Sequence, residues 1–138
     1  MSIRSLLHRR RAQRIPTRAV GKTLQRVVEG LRDHAVFLLD VNGTIASWNV
    51  GAERLLGYSE ADAVGRDGAI LFTPEGRVRD IPRIEMEAAV DKGITEDKRW
   101  HSRKDGSLLW ATGSMDAVRS DAGDLQGFVK VMRDDTER

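Results

Sequence analysis

Cysteine is absent from the 138-residue chain, and the aromatic residues are few. The lack of cysteine excludes disulfide bonds, thiolate metal ligands and a cysteine nucleophile. It is typical of a reducing compartment, so we predict a cytoplasmic location. No apolar run approaches the roughly 18 residues that a membrane-spanning helix requires. The sequence therefore predicts no transmembrane segment.

Acidic residues are almost missing from the first 32 positions, which hold nine Lys/Arg and one acid, Glu29, for a net charge of +8. The rest of the chain holds 14 basic and 20 acidic residues, for a net charge of −6. Such asymmetry is typical of two segments with separate roles. We interpret residues 1–16 as a solvated basic arm. Binding of nucleic-acid phosphates or of an anionic membrane surface is the alternative that its arginines leave open.

Residues 17–32 show the periodicity of an amphipathic helix that precedes the main domain. Its apolar residues fall on one face at helical spacing: Val20, Leu24, Val27, Val28 and Leu31. Such a stripe needs a partner. We expect that partner to be the domain's own sheet or the same helix of a second chain.

The remaining sequence predicts strands at both ends and short helices between them. Asn42-Gly43, flanked by β-rich runs at 36–40 and 44–48 that we predict to be the first two strands, is the strongest short signal for a hairpin, because both central residues of that turn need positive φ. Asn49 and Ser59 are candidate helix caps, and Gly93 ends the last helix. Three antiparallel strand candidates follow, at 94–103, 107–118 and 125–133. This order predicts an α+β fold in which short helices cover one face of an antiparallel sheet.

Two stretches of the sequence contain motifs in a specific order. In "FLLDVNGTIASWNVGAERLLGYSEADAVGR", residues 37–66, a predicted hairpin ends in Trp-Asn and leads into a helix that ends in Gly-Tyr. In "RKDGSLLWATGSMDAVRSDAGDLQGFVKVMRDDTER", three predicted strands lead to Asp134 and Thr136. These stretches resemble a PAS domain, the small sensory module of bacterial signalling proteins, and Asp134 and Thr136 match that family's Asp-x-Thr motif before a downstream helix. The resemblance covers residues 33–138.

The resemblance implies a five-stranded sheet in the order 2-1-5-4-3, with a ligand cavity between the sheet and the helices. It also implies a homodimer that relays signals through flanking helices. A downstream output domain, such as a histidine kinase or a cyclic-dinucleotide enzyme of a two-component or related system, is expected to follow. A stand-alone adaptor is the alternative.

The resemblance names no cofactor, and it argues against flavin and haem. In light-sensing relatives a Cys ends a Gly-Arg-Asn-Cys motif, but Gly68 takes that place in "GRDG". In those relatives the side-chain amides of two Asn residues and one Gln contact the flavin, and His101, Ala111 and Met132 occupy the corresponding positions here. Haem-binding relatives use a His on the long helix, and "IPRIEMEAAVDKG" contains none.

His101 is the remaining polar candidate for a cavity wall. If it points inward, strand alternation also turns Leu109, Ala111, Gly113 and Met115 inward. With Met132, these residues are our candidates for the cavity. A neutral His could bind a ligand or change its charge near neutral pH. A core His that bonds a backbone carbonyl is the alternative.

Trp100 and Trp110 fall on the opposite face of the predicted sheet. Two exposed tryptophans form an apolar patch that is typical of an interface, and cross-strand packing within the hairpin is the alternative. We find no catalytic constellation, no phosphate loop and no metal-ligand spacing in the sequence. We therefore expect a non-enzymatic sensory module, with a ligand-free dimerisation or docking module as the alternative.

Overall fold

The computed structural model describes residues 17–136, with side chains from Lys22 onward. The basic arm at 1–16 and the side chain of Val20 lie outside the described residues. The helices are α1 (Thr17–Gly30), α2 (Val50–Leu56), α3 (Glu60–Ala63), a 3₁₀ helix (Gly68–Leu71), α4 (Pro74–Val78) and α5 (Ile81–Lys92). The strands are β1 (His34–Leu39), β2 (Ile94–Ser102), β3 (Leu108–Arg119) and β4 (Leu125–Asp134).

The sheet has four antiparallel strands in the order β1-β4-β3-β2, and not the five that the resemblance implied. The order is the expected one without its second strand, which we placed at residues 44–48. In that segment the Ala46 amide donates to the carbonyl of Leu38 in β1. The Ile45 amide instead donates to Arg66, and the Ile45 carbonyl accepts from Gly65. Because the segment divides its backbone bonds between β1 and another loop, it forms isolated bridges and no continuous strand.

The loop after β1 also differs from the predicted two-residue turn. Gly43 has φ of +86°, but Asn42 does not have positive φ. The Gly43 amide donates to the Asp40 carbonyl, and the Asp40 side chain accepts from the amides of Asn42 and Thr44. This is a loop one residue longer, in which only the glycine adopts the left-handed conformation. The Asp40 carboxylate stabilises it in the way an Asx turn does.

The short helices begin and end where the side-chain chemistry predicts. Asn49 caps α2 by accepting from the Ala52 amide, and Ser59 caps α3 by accepting from Asp62. Gly93, with φ of +86°, ends α5. Helices this short are marginal on their own, so their packing against the sheet holds them in place.

The core lies on one face of the sheet. Along β1, Ala35, Phe37 and Leu39 are buried while the residues between them are more exposed. α2 packs so closely on β1 that a Cβ at Gly51 would lie 1.8 Å from the His34 carbonyl oxygen. α5 packs on β2 and β3. Between α5 and the sheet lies the space described next. Within residues 17–136, no helix is long and apolar enough to cross a membrane.

Candidate ligand cavity

A cavity lies between the sheet, the 3₁₀ helix and α5. The space inside it that the centre of a water molecule can occupy is about 20 Å³, and the empty space reaches about 390 Å³ only when the open mouth in solvent is counted. The walls are mostly apolar, and the charged or polar side chains among them come from Asp67, Glu85, His101 and Lys130. The lining residues are Phe37, Leu39, Gly43, Asp67, Gly68, Ala69, Leu71, Phe72, Pro82, Glu85, Met86, His101, Met115, Lys130 and Met132.

The cavity candidates predicted from the sequence are all buried, but only half of them line this space. His101, Met115 and Met132 do. Leu109 and Ala111 are fully buried in the core away from it, and Gly113 faces the carboxylate of Asp97. A Cβ at Gly113 would lie 3.4 Å from Oδ1 of Asp97. The space beside this small residue is therefore occupied by the Val131 carbonyl group and the Asp97 carboxylate, and Gly113 does not line the cavity.

His101 lies at the end of β2 with 1% of its surface exposed. Its Nδ1 is 3.0 Å from the carbonyl oxygen of Leu71, and its ring meets that of Phe72 edge to face at 5.0 Å. Burial, followed by the positive charge of Lys130, lowers the pKa of His101 to about 4. The ring is therefore neutral near pH 7. Because a carbonyl can only accept, Nδ1 carries the hydrogen and Nε2 is left as an acceptor.

Nε2 of His101 has no hydrogen-bond partner and is buried. The alternative that we gave for this residue, a core His bonded to a backbone carbonyl, thus describes one ring nitrogen only. The other is an unsatisfied acceptor on a residue of the cavity wall.

A buried ionic cluster supplies two residues of the cavity wall, Glu85 and Lys130. Nζ of Lys130 on β4 lies 2.5 Å from Oε1 of Glu85 on α5 and 3.2 Å from Oδ2 of Asp97 on β2. Arg99 lies 3.4 Å from the other oxygen of Glu85 and 3.1 Å from Asp97. The side chains of Glu85 and Lys130 are 1% and 2% exposed. Two acids and two bases balance, so the cluster carries no net charge when all four are ionised.

The two carboxyl groups of the cluster differ in proton affinity. Burial raises the pKa of Glu85 to about 7. Burial also acts to raise the pKa of Asp97, but the hydrogen bond with Glu85 and the charges of Lys130 and Arg99 outweigh it and lower that pKa to about 2. Near neutral pH the proton that enters the cluster is therefore held by Glu85, while Asp97 stays ionised.

The sequence analysis missed this cluster, although the strands contain a signal for it. Asp97 and Arg99 alternate with His101 along β2, and Lys130 lies between the buried residues Phe128 and Met132. Charged residues at the inward positions of a half-buried strand are uncommon unless they are paired.

Comparisons with known proteins identify the family to which the chain belongs. A profile of the PAS domain family matches residues 33–137. The chain belongs to the PAS domain family. Two-component system protein A of Emericella nidulans is 37% identical over 119 residues, which are 86% of this chain and 17% of that protein. This PAS domain thus spans a small part of that relative's length.

Solved structures show the same PAS fold. The PAS domain of a protein from Colwellia psychrerythraea superposes with a TM-score of 0.80, at 24% identity over 86% of this chain and 99% of the other. An RNA-binding light-oxygen-voltage receptor superposes with a TM-score of 0.74, at 26% identity over 90% of this chain and 35% of the other. The resemblance inferred from the sequence is confirmed.

The residues of this PAS domain do not fit the flavin of the light-sensing branch. A Cβ at Gly68 would lie 3.1 Å from both the Gly43 carbonyl oxygen and the Leu39 side chain, so a cysteine there would require these neighbours to shift by a few tenths of an ångström. Ala111 does not line the cavity, and the Lys130–Glu85 pair contributes to its wall. Among residues 17–136, no three His, Asp or Glu side chains are grouped so that they could hold a metal ion.

Of the candidate interface residues whose side chains the structure describes, half are exposed and half are half-buried. Leu24 and Val27 on α1 are 60% and 56% exposed, while Val28 and Leu31 are half-buried. Trp100 and Trp110 face each other across β2 and β3, with ring centroids 5.1 Å apart. Trp100 is 48% exposed and Trp110 is half-buried. The two tryptophans therefore pack on each other and still leave an open apolar surface.

The family's output-linker motif is folded onto the end of β4. The Asp134 carboxylate accepts from both the amide and the hydroxyl of Thr136. The adjacent Asp135 is buried and accepts from the Thr112 hydroxyl at 2.8 Å. The chain thus leaves the sheet with a fixed direction.

Proposed function

We propose that this PAS domain is the sensory module of a signal-transduction protein. A small molecule binds in the cavity, and the flanking helices relay its binding within a homodimer to an output domain. The observation that carries the proposal is the cavity itself, whose mostly apolar walls include His101 and the ion pair of Glu85 and Lys130. The similarity to a protein named as a two-component system protein supports an output domain that belongs to such a system. Because that relative is fungal, the proposal is not limited to bacterial systems.

The contacts of α1 support a relay through the flanking helix. The Asn49 side chain donates to the carbonyls of Val28 and His34, each at 3.0 Å, and accepts from the amide of Val36 in β1. One buried side chain thus joins the end of α1 to β1 and to the start of α2. A ligand that shifts the sheet would change the population of α1 positions through these bonds.

The experiment that tests ligand sensing is recovery of a small molecule from the purified full chain. Protein exposed to cell extract is denatured, and the released molecules are identified by mass spectrometry. Ala69 lines the cavity, so Ala69→Leu should fill it and abolish recovery. Ala61→Leu, at an exposed position of α3, is the matched control and should retain the ligand.

The relay is tested in the same preparations by amide hydrogen exchange in α1. We expect exchange there to differ between the ligand-bound and ligand-free chains. Wild-type protein that releases no molecule, and whose α1 exchange does not respond to extract, would contradict the sensor function.

The exposed apolar surface of α1 and Trp100 favours a second candidate, a ligand-free dimerisation or docking module. In that function the basic arm would bind nucleic acid or an anionic membrane surface. A relative of similar fold is described as RNA-binding. Salt-dependent retention on RNA or on anionic vesicles that is lost when residues 1–14 are deleted would support this function. Equal retention of the shortened chain would contradict it.

A further inference from the structure

A buried pair of carboxyl groups joins α5 to the sheet. Glu85 on α5 and Asp97 on β2 both contact Nζ of Lys130, at 2.5 and 3.2 Å. The two groups therefore lie close together. Oε2 of Glu85 and Oδ1 of Asp97 are buried and accept no hydrogen bond. Each member of the pair thus keeps one oxygen without a donor, in a place that water does not reach.

The contact between the two groups indicates that they hold a proton. Ionised carboxylates have only acceptors, so two of them cannot hydrogen-bond each other. When one group is protonated, its O–H can donate to the other. A hydrogen bond between Glu85 and Asp97 acts on the pKa of both groups, raising that of Glu85 and lowering that of Asp97. These opposite directions assign the proton to Glu85.

The titratable and charged side chains of the sheet around Glu85 come from two strands: Lys130 from β4, and Asp97, Arg99 and His101 from β2. His101 is neutral near pH 7, so Lys130 and Arg99 are the two bases that attract an ionised Glu85. Burial of Glu85 and the charge of Asp97 oppose that ionisation, and burial is the largest effect on its pKa. The proton is therefore retained near neutral pH.

The other elements that pack on α5 engage their charges elsewhere. Arg119 of β3 donates to the Val90 carbonyl, in the last turn of α5, at 3.3 Å. Asp67, before the 3₁₀ helix, accepts from the Ala69 amide at 2.8 Å. The charged side chains of α4 are exposed: Glu75, Arg77 and Arg79. Glu85 is thus the group of α5 whose proton depends on its contact with the sheet.

Few side chains hold α5 on the sheet. Glu85 and Ala89 are the buried residues among its twelve. Asp80, before the helix, has a left-handed backbone with φ of 62°, and its side chain does not cap the helix. Gly93, after the helix, has φ of +86°. A helix that buries so little apolar surface belongs to the parts of a protein that open locally at low cost.

We propose that Glu85 and Asp97 form a proton-binding site that couples the docking of α5 to pH. A proton between the two carboxyl groups holds α5 on the sheet, and its release makes local opening of α5 more frequent. The signal is the proton itself, so the inference goes beyond ligand sensing and requires no molecule in the cavity. Because Pro82 and Met86 of α5 line the cavity, opening of α5 would also widen that space.

The direction of the effect follows from linkage. The pKa of Glu85 is about 7 in the docked helix, and the ordinary value of 4.5 applies when the opened helix exposes the carboxyl to water. The open form therefore binds the proton more weakly. The contribution of Glu85 to docking is fully present below about pH 4.5 and is lost as the pH rises through 7.

The test is amide hydrogen exchange of the full chain at pH 6 and pH 8, under conditions in which exchange reports the opening equilibrium. After correction for the direct effect of pH on exchange chemistry, we expect the opening equilibrium constant of α5 to be about tenfold larger at pH 8. That of β1 should change less, because the proton acts on the docking of α5.

Glu85→Gln keeps the shape of the side chain, and its amide can donate to Asp97 as the protonated acid does. We expect this variant to lose the pH dependence of α5 exchange. Glu87→Gln, at a carboxylate of the same helix that is 60% exposed, is the matched control and should keep it. Groups that titrate elsewhere are present in both variants and affect them alike.

The carboxyl ¹³C resonance of Glu85 tests the site in the wild-type protein, even if Glu85→Gln does not fold. It should titrate near pH 7, while that of Asp97 shows an ionised group from pH 5 to 8. A Glu85 that is already ionised at pH 5 would overturn the proton site. Equal pH dependence of α5 exchange in wild type and Glu85→Gln would overturn its coupling to docking. The sensory function would remain open to the extract experiment in both cases.

Discussion

At the scale of single residues, the buried lysine of β4 controls the most polar part of the core. Lys130 is 2% exposed and contacts the carboxylates of both Glu85 and Asp97. Removing one partner of a buried ion pair leaves the other charge uncompensated, which costs about 3–5 kcal/mol. The pair need not stabilise the fold more than an apolar pair of the same shape would, but it cannot lose one member alone.

We predict that Lys130→Met lowers the free energy of unfolding by about 3 kcal/mol at pH 8. The loss should be smaller at pH 6, because Glu85, whose pKa burial already raises to about 7, then takes up a proton and loses its charge. Urea unfolding at the two pH values measures this. Lys98→Met, at a side chain that is 64% exposed and 4.0 Å from Asp135, is the control and should cost less than about 1 kcal/mol. Equal losses in the two variants would contradict a special role of the buried cluster.

His101 makes stability depend on pH in a known direction. Its folded pKa, about 4, is below the ordinary value of 6.5. The unfolded chain therefore binds the proton more tightly, and stability rises with pH between about 4 and 6.5. Glu85 acts in the opposite direction, since its raised pKa favours the folded state at low pH, so the effect of His101 is visible only in a difference.

We predict that acidification from pH 6.5 to 4 destabilises wild type relative to His101→Gln by up to about 3 kcal/mol, since each pKa unit corresponds to about 1.4 kcal/mol. Glu85 is present in both proteins and cancels. Met115→Leu, which changes another inward residue of the cavity without a titrating group, should parallel the wild-type curve in urea unfolding across this range. A constant difference between wild type and His101→Gln would show that His101 titrates alike in the folded and unfolded chains.

At the scale of secondary-structure elements, the junction of α1, β1 and α2 depends on Asn49. Its side chain accepts from the amides of Val36 and Ala52 at 2.9 and 2.8 Å and donates to carbonyls at the end of α1 and the start of β1. Asn49 is 4% exposed, so water cannot replace these bonds at little cost.

We predict that Asn49→Ala destabilises the domain by about 3 kcal/mol, the sum of a lost helix cap and of buried groups left unsatisfied. Amide exchange in α1 should rise more than in β3. Asn42→Ala, in the exposed loop after β1, is the matched control and should change stability by less than about 1 kcal/mol. Exchange that rises equally in α1 and β3 would indicate general destabilisation and not a specific loosening of α1.

Most elements could be predicted from the sequence because their signals are local. The caps at Asn49 and Ser59, the stop at Gly93 and the alternation along β1 and β3 depend on neighbouring residues alone. The absence of a regular strand at residues 44–48 could not be predicted, because Ile45 forms its backbone hydrogen bonds with residues 65–66. That loop is distant in sequence and comes close to Ile45 only in the folded chain. Glu85, Asp97 and Lys130 of the ionic cluster lie on separate elements. Strand alternation could predict that Asp97 and Lys130 point inward, but the sequence alone could not predict which charged side chains pair.

At the scale of the whole molecule, both flanking segments meet the sheet at one end. His34, which begins β1, pairs with Arg133 near the end of β4. α1 therefore enters the sheet beside the point where the chain leaves it through Asp134 and Thr136. A movement of this end of the sheet would therefore reach both flanking segments together, which is consistent with the relay that we propose.

The exposed apolar face of α1 is the surface that the proposed homodimer would bury, because Leu24 and Val27 are more than half exposed in the single chain. We predict that Leu24→Asp combined with Val27→Asp converts the dimer into monomers, since each new carboxylate would lose its hydration in the interface. Light scattering over a range of protein concentrations measures the mass. Val78 is the last residue of α4 and is 86% exposed, so Val78→Asp is the matched control and should leave the mass unchanged. A wild-type chain that is monomeric at every concentration, or a double variant that still dimerises, would show that α1 does not form the interface, and the relay would then have to act through another surface.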